Sequence, residues 1–296
     1  MSVPASYLAV VLIWSTTPLA IVWSTQSMHP SLAVLLRMLV AVVICLLIIG
    51  LSNIRLPWRA QAQRLYCYSS LGVFGGMSFG YFSAQYLDSG FMSLVFGLSP
   101  IVSGLFEQKL LKGPAFSASK KFAFALAIAG LAMVCSNNLA SGQLAWQGVV
   151  LIIAGMLCFS LSGVLVKSVN ISIHPVATTT GTLIYSTPLF ALVWWLTDGS
   201  LPVDTWSTKT VAAVVYLAVF GSLIGFIAYF YILQKLPATT VALVTLLTPV
   251  LAISLGAILN GEQVSMIMVI GAIMIIAGLA VYQFADKYWF KLAKHT

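Results

Sequence analysis

His29-Pro30 and His174-Pro175 lie 145 residues apart, and each opens a hydrophobic stretch in a chain made almost entirely of such stretches. A pattern repeated at that distance points to two related halves, and other segments keep nearly the same offset. Leu12-Ile13-Trp14-Ser15 maps at 145 onto Leu157-Cys158-Phe159-Ser160. Val73-Phe74-Gly75 maps at 146 onto Val219-Phe220-Gly221, and Leu98-Ser99-Pro100 maps at 149 onto Leu247-Thr248-Pro249. The drift needs only small insertions in loops, and it divides the chain into repeats at 1–138 and 139–296.

Both halves have the composition of a bilayer protein: 60% of residues are hydrophobic and 7% charged, with a mean hydropathy of +1.04. A membrane-crossing helix needs about 20 mostly apolar residues. Ten such segments are expected, at residues 4–24, 31–51, 66–87, 91–111, 119–137, 145–166, 175–197, 210–233, 238–260 and 264–285. Barrel strands would be shorter and strictly alternating, which these runs are not. The first segment has no basic leader and no small-residue cleavage site, so it reads as a retained helix.

Basic residues flanking membrane helices stay on the cytoplasmic side. With the N-terminus inside, the cytoplasmic loops hold Arg55, Arg59, Arg64, Lys109, Lys112, Lys120, Lys121, Lys167 and Lys235, and the tail adds Lys287, Lys291 and Lys294. That accounts for twelve of the fourteen; Lys209 falls outside and Arg37 within the second helix. Asp88, Asp198, Asp204 and Glu262 lie on the opposite side, so the net charge of +8 is a topology signal. Scattered over short loops, these charges offer no continuous patch for nucleic acid. Ten helices in two halves give five per half, and an odd number turns the second half upside down. The expected fold is therefore all-α and membrane-embedded, two inverted five-helix repeats, a recurrent design of secondary transporters with the substrate near the midplane.

Catalysis lacks a constellation: there is no HExxH, GxSxG, Walker phosphate loop or paired-carboxylate DxxxD, and no histidine deep in a span. His29, His174 and His295 read as interfacial. Cys45, Cys67, Cys135 and Cys158 form no CxxC pair and read as free thiols. No catalytic residue, metal site or cofactor is expected. The expected partners are a small-molecule substrate, membrane lipid and, for assembly, a second copy of the chain in a homodimer.

Leu12-Ile13-Trp14-Ser15, Arg37 seven residues after a His-Pro entry, Leu98-Ser99-Pro100, and Leu247-Thr248-Pro249 followed by Gly261-Glu262 also carry a resemblance. The chain resembles the drug/metabolite transporter superfamily, of the type built from two EamA domains, over about residues 5–285. The resemblance implies a ten-helix inner-membrane carrier with both termini inside, exporting amino acids or other small metabolites. One departure stands out. The Gly-Glu that the family carries after the fourth helix is here Lys112-Gly113-Pro114, which leaves only Glu262.

Helical geometry places Phe96, Pro100, Ser103 and Glu107 on one arc of the fourth helix, and Phe74, Ser78, Tyr81 and Gln85 on one arc of the third. Gly72, Gly76 and Gly80 repeat on the opposite face of the third helix, with Gly221 and Gly225 on the eighth, a spacing that lets membrane helices pack closely. Shifted into the second half, the two stripes become Thr245, Pro249, Ala252 and Gly256, and Phe220, Ile224, Ile227 and Tyr231. Polar recognition is thus expected from the first half and an apolar wall from the second. Candidate substrate-binding residues are Trp14, Arg37, Ser78, Tyr81, Gln85, Phe96, Ser103, Phe159, Tyr231 and Thr245; a polar stripe that merely satisfies neighbouring helices is the alternative. Pro100 and Pro249 each free a carbonyl and are candidate hinges, or tolerated kinks.

Arg37 and Glu107 are the two charges within expected spans, roughly 10 Å and 24 Å from the outer ends at about 1.5 Å per residue. Arg37 can hold a carboxylate bidentately or brace backbone carbonyls. Glu107 can carry a coupling proton or form an interfacial ion pair with Lys109 and Lys112. The reading is a secondary active exporter of small amphipathic metabolites working by alternating access, against a lipid-linked sugar flippase or a non-transporting scaffold. A reporter fused after Thr296 is expected to be active in the cytoplasm and one near Ser141 active outside; activity of both on one side would contradict the inverted repeat.

Overall fold

In lipid the backbone must satisfy its own N–H and C=O groups, and this chain does so with helices. The computed structural model describes residues 2–113, 115–140, 146–236, 241 and 244–292, and the side chains of these except 137–140 and 285–292. The described residues contain no strand and ten long helices: α1 Val3–Ser24, α2 Pro30–Leu51, α3 Ala60–Ser83, α4 Ser89–Leu110, α5 Ala118–Ala140, α6 Trp146–Ser168, α7 Pro175–Thr197, α8 Thr208–Lys235, α9 Val244–Asn260 and α10 Met266–Leu292. Eight are long and apolar enough to cross a membrane, and α9 is a shorter apolar helix. The exception, α3, begins with Gln61, Gln63 and Arg64, and it starts and ends several residues earlier than the sequence reading placed it. The expected start of the ninth segment at 238, Lys294 and His295 lie outside the described residues.

The repeated His-Pro pairs begin the same helix in each half. His29 and His174 are the N-caps of α2 and α7, with Pro30 and Pro175 in the first turn, where a missing N–H costs nothing. The packing carries the repeat further. α5 lies along α10, α3 along α6, α1 along α8, α2 against α7, and α4 against α9; α1 also meets α9, α4 meets α6, α3 meets α7 and α2 meets α8. Exchanging each helix for its counterpart five places on maps this set onto itself, so that α3–α6 becomes α8–α1 and α1–α9 becomes α6–α4. The chain is an all-α membrane protein whose halves share one pseudo-two-fold packing scheme.

Glycines set the closest approaches. A Cβ on Gly72 would lie 2.6 Å from the Ser162 hydroxyl and one on Gly75 2.8 Å from the Cys158 Cβ, both on α6. Gly130 and Gly271 face one another's backbone carbonyls across α5 and α10, at 2.7 and 2.8 Å from the missing Cβ atoms. Small residues permit such backbone contact where lipid supplies no hydrophobic drive between helices. Gly80, expected to join this packing face, has nothing within 4 Å of its missing Cβ. Apolar side chains left uncovered, such as Leu47, Leu12 and Ile258, form the lipid-facing surface.

Two helices are locally irregular. α4 breaks at Leu98 between Ser89–Gly97 and Ser99–Leu110, because Pro100 in the next turn has no N–H to give. Its counterpart Pro249 sits inside an unbroken α9. α8 widens into a π-helix over Leu217–Ile224, in which the Gly225 N–H reaches the Phe220 carbonyl. Such bulges occur often at functional sites.

The face where α1 ends is closed by polar contacts. Trp23 donates from its indole to Asn260 at 2.8 Å, and Lys209, the basic residue on the unexpected side, lies 4.4 Å from the Trp23 ring centroid. Glu262 caps α4 from the α9–α10 connection. Its carboxylate accepts from the Ser89 N–H at 3.1 Å, the Ser89 hydroxyl at 2.9 Å and the Gly90 N–H at 3.2 Å, where the helix end is electropositive. Gly256, the counterpart of Glu107, packs against this carboxylate and leaves it room.

Asp88, the N-cap residue itself, is exposed and makes no capping bond, and desolvation by neighbouring protein followed by the Glu262 charge raises its pKa above 3.8. A carboxyl raised in the folded state stabilises most when protonated, and that stability is lost as pH climbs through the raised value. Asp88→Asn is therefore expected to raise the melting temperature at neutral pH, with the gain vanishing below the ordinary carboxylate range; a melting temperature unchanged at neutral pH would contradict the repulsion.

Candidate functional site

A cavity of about 110 Å³ opens between the two halves in the part of the bundle nearer the Glu262 face. From the first half it takes Trp14, Thr17, Pro18 and Ile21 on α1, Arg37 on α2, Gly76, Met77 and Gly80 on α3, and Met92, Ser93, Phe96 and Ser99 on α4. The second half adds Phe159 on α6, Gly221 and Phe226 on α8, and Thr245 and Thr248 on α9. The repeat is visible in this wall. Trp14 and Phe159 are counterparts at offset 145, Gly80 and Phe226 at 146, and Phe96 and Thr245, like Ser99 and Thr248, at 149.

A narrower cleft of about 30 Å³ lies towards the opposite face, between α3, α6 and α8, and shares Phe159 and Phe226 with the first. Ser162, Gly163 and Val166 line it, and these are the counterparts, at 145, of Thr17, Pro18 and Ile21 in the larger cavity. Between the two stands a cluster of rings: Trp14 packs 5.0 Å from Tyr229 and 5.8 Å from Phe159, which lies 6.0 Å from Phe96. Ring pairs at these separations add attraction beyond the area they bury.

Arg37 is fully buried. Its Nε donates to the Ser222 hydroxyl at 2.7 Å, and one terminal nitrogen donates to the Tyr81 hydroxyl at 3.4 Å and to the Met77 sulfur at 3.7 Å. The other terminal nitrogen, Nη2, is buried without a hydrogen-bond partner. The widened turn of α8 brings both Ser222 and Gly221 to the guanidinium; a Cβ on Gly221 would stand 2.8 Å from Nη2.

The structure brings together five of the candidate binding residues, Trp14, Arg37, Phe96, Phe159 and Thr245, in the cavity wall. Tyr81 stands behind them as a partner of Arg37. The others lie elsewhere, each for a local reason. The α3 stripe is turned away from the cavity: Phe74 packs 5.1 Å from Phe190 of α7, and Ser78 is buried with its hydroxyl unpaired. The cavity uses the adjacent Gly76, Met77 and Gly80 instead, where missing side chains leave space. Gln85 falls after the end of α3, in an exposed turn. Past the break at Leu98 the α4 stripe faces α6, so Ser103 donates to the Ser160 carbonyl at 3.4 Å. Tyr231 packs in a separate cluster with Val10, Val11 and Val244.

Glu107 is exposed in the last turn of α4, and the Lys167 ammonium on α6 lies near enough to feel its charge. It does not line the central cavity, and its exposure suits the interfacial alternative. The second half is also less of an apolar wall than expected, since Thr245 and Thr248 bring two hydroxyls. Ser99 and Thr248 were legible in principle: each immediately precedes the repeated proline. Ser222 was not, and Gly221 was legible only as a packing glycine, because nothing in their spacing announces a π-turn.

The profile of the EamA-like transporter family matches residues 5–136 and again residues 146–283. Among similar proteins, an uncharacterized transporter of Archaeoglobus fulgidus is 24% identical over 90% of this chain and 93% of its own length. Protein PecM of Dickeya dadantii is 27% identical over 92% and 89%, and protein PagO of Salmonella typhimurium 23% over 90% and 87%. A solved crystal structure superposes with a TM-score of 0.69 over 97% of this chain and 98% of that one, at 20% identity, and shares the fold.

Proposed function

The chain belongs to the EamA-like transporter family, within the drug/metabolite transporter superfamily, and from that premise we propose that it is a secondary active exporter of small amphipathic metabolites, of amino-acid size, resident in the inner membrane with both termini in the cytoplasm. Solute occupies the central cavity, and the two five-helix halves rock against one another to expose it to each face in turn. The charged and most of the hydroxyl contacts come from α1, α2 and α4, while Phe159 and Phe226 of the second half meet the apolar part of the solute.

The observation that carries this reading is the pair of cavities. Thr17, Pro18 and Ile21 line space towards one face, and their repeat counterparts Ser162, Gly163 and Val166 line space towards the other, with Phe159 and Phe226 common to both. An inverted repeat can exchange the conformations of its halves at little net cost, since each takes up the packing its counterpart held. One cavity then widens as the other narrows. A reaction centre has no use for two symmetry-related approaches, and neither has a passive scaffold.

The test is flux. In inside-out vesicles containing the protein, labelled amino acids and related metabolites are to be screened with and without a proton gradient, against vesicles lacking the protein. Protein-dependent accumulation of a small amphipathic solute is expected. Movement of a lipid-linked sugar between leaflets with no soluble substrate carried, or no flux at all, would contradict the proposal.

A further inference from the structure

We propose that the solute carried through this cavity is a small monocarboxylic acid without an amino group, held by its carboxylate on Arg37; the inference rests on the transport reading above. The guanidinium is fully buried, is permanently charged, and has five N–H donors, of which those on Nη2 meet no acceptor. Gly221 makes room for this buried nitrogen at the cavity wall, since a Cβ there would stand 2.8 Å from it. Among the described residues no Asp or Glu lines the cavity. Asp88, Asp198, Asp204, Glu107 and Glu262 all stand at helix ends or in connections. A buried charge without a counter-ion is unfavourable, and an anionic ligand that shares its hydrogen bonds removes the imbalance.

The same arithmetic sets the class of ligand. One cation calls for one negative charge, which argues against a phosphate dianion. An α-amino acid would bring an ammonium into a cavity that offers it no carboxylate and already holds Arg37, so like charges would face each other in a medium of low polarity. The hydroxyls of Thr17, Ser93, Ser99, Thr245 and Thr248 suit neutral polar groups, and Trp14, Phe159 and Phe226 receive an apolar body. At about 110 Å³ the space is somewhat smaller than the roughly 150 Å³ cavity that accepts benzene. A short branched chain suits that scale, and a single ring is its upper limit.

Binding to the full-length protein in lipid nanodiscs tests this with four probes: isovalerate, benzoate, valine and inorganic phosphate, with isovaleramide as the uncharged control. Isovalerate or benzoate is expected to bind at least about tenfold more tightly than valine, isovaleramide or phosphate. Arg37→Gln is expected to abolish that preference and Arg37→Lys to weaken it, because an ammonium cannot reproduce the planar fork. The ranking of probes on the unaltered protein stands independently of how the variants fold. Valine binding as tightly as isovalerate, phosphate displacing both acids, or a folded Arg37→Gln protein that keeps the preference would each overturn the proposal. If neither acid binds while the same preparation exchanges another solute in proteoliposomes, the carboxylate assignment fails and the transport reading survives; if no solute is exchanged, the transport reading is what fails.

Discussion

A single guanidinium held inside an apolar bundle by hydroxyls and a thioether is what the centre of this protein is arranged around. Arg37 starts from the second turn of α2 and reaches Tyr81 on α3 and Ser222 on α8, so three helices are fixed by one side chain. The cost of burying a charge is large unless hydrogen bonds replace its water. Those bonds need Ser222 at 2.7 Å, and the widened turn of α8 is the local adjustment that puts it there with Gly221 beside it. An ordinary helix would carry these residues in a different register and take the Ser222 hydroxyl away from Nε.

Around this asymmetric centre the packing is close to symmetric. Helices pair as their counterparts pair, and the cavity wall repeats Trp14 as Phe159, Gly80 as Phe226, Phe96 as Thr245 and Ser99 as Thr248. On the proposed transport reading, symmetry in the frame allows exchange between two conformations of similar energy, and asymmetry in the wall orients the solute. Close glycine contacts such as Gly72 on Ser162 and Gly130 on Gly271 each join a helix of one half to a helix of the other, so these pairs hold together as units and movement is left to the seams between pairs. The break at Leu98 interrupts one such boundary helix, α4, whereas α9 passes unbroken through Pro249.

Much of this was legible in the sequence, and the reasons differ from place to place. Ten apolar runs, the offset between halves and the His-Pro helix starts follow from hydropathy and spacing, which the bilayer enforces on every helix. Arg37 was legible because a charge in a span has few excuses. The third-helix stripe misled because periodicity finds a face without saying what the face meets: Phe74 and Ser78 turn towards helices, and the cavity opens where glycines leave room. Gln85 was lost to a helix that ends four residues earlier than hydropathy suggests, and Ser103 to a break that rotates the rest of α4 towards α6. Counting residues inward put Glu107 near the inner interface with two readings open, and its exposure in the last turn of α4, with Lys167 of the neighbouring helix near it, suits the interfacial one. The π-turn of α8 sits against Arg37, a tertiary contact that single-chain periodicity does not contain.

The account stands or falls on whether the cavity between the halves faces both sides of the membrane in turn. Ser93 lines that cavity and, with Cys45, Cys67, Cys135 and Cys158 replaced by serine, Ser93→Cys supplies a single thiol for a membrane-impermeant maleimide applied to either face of sealed, oriented vesicles. Modification from each face, with the two rates shifting in opposite directions when a carried solute is present on one side only, is the predicted result. Modification from one face alone under every solute condition would contradict alternating access.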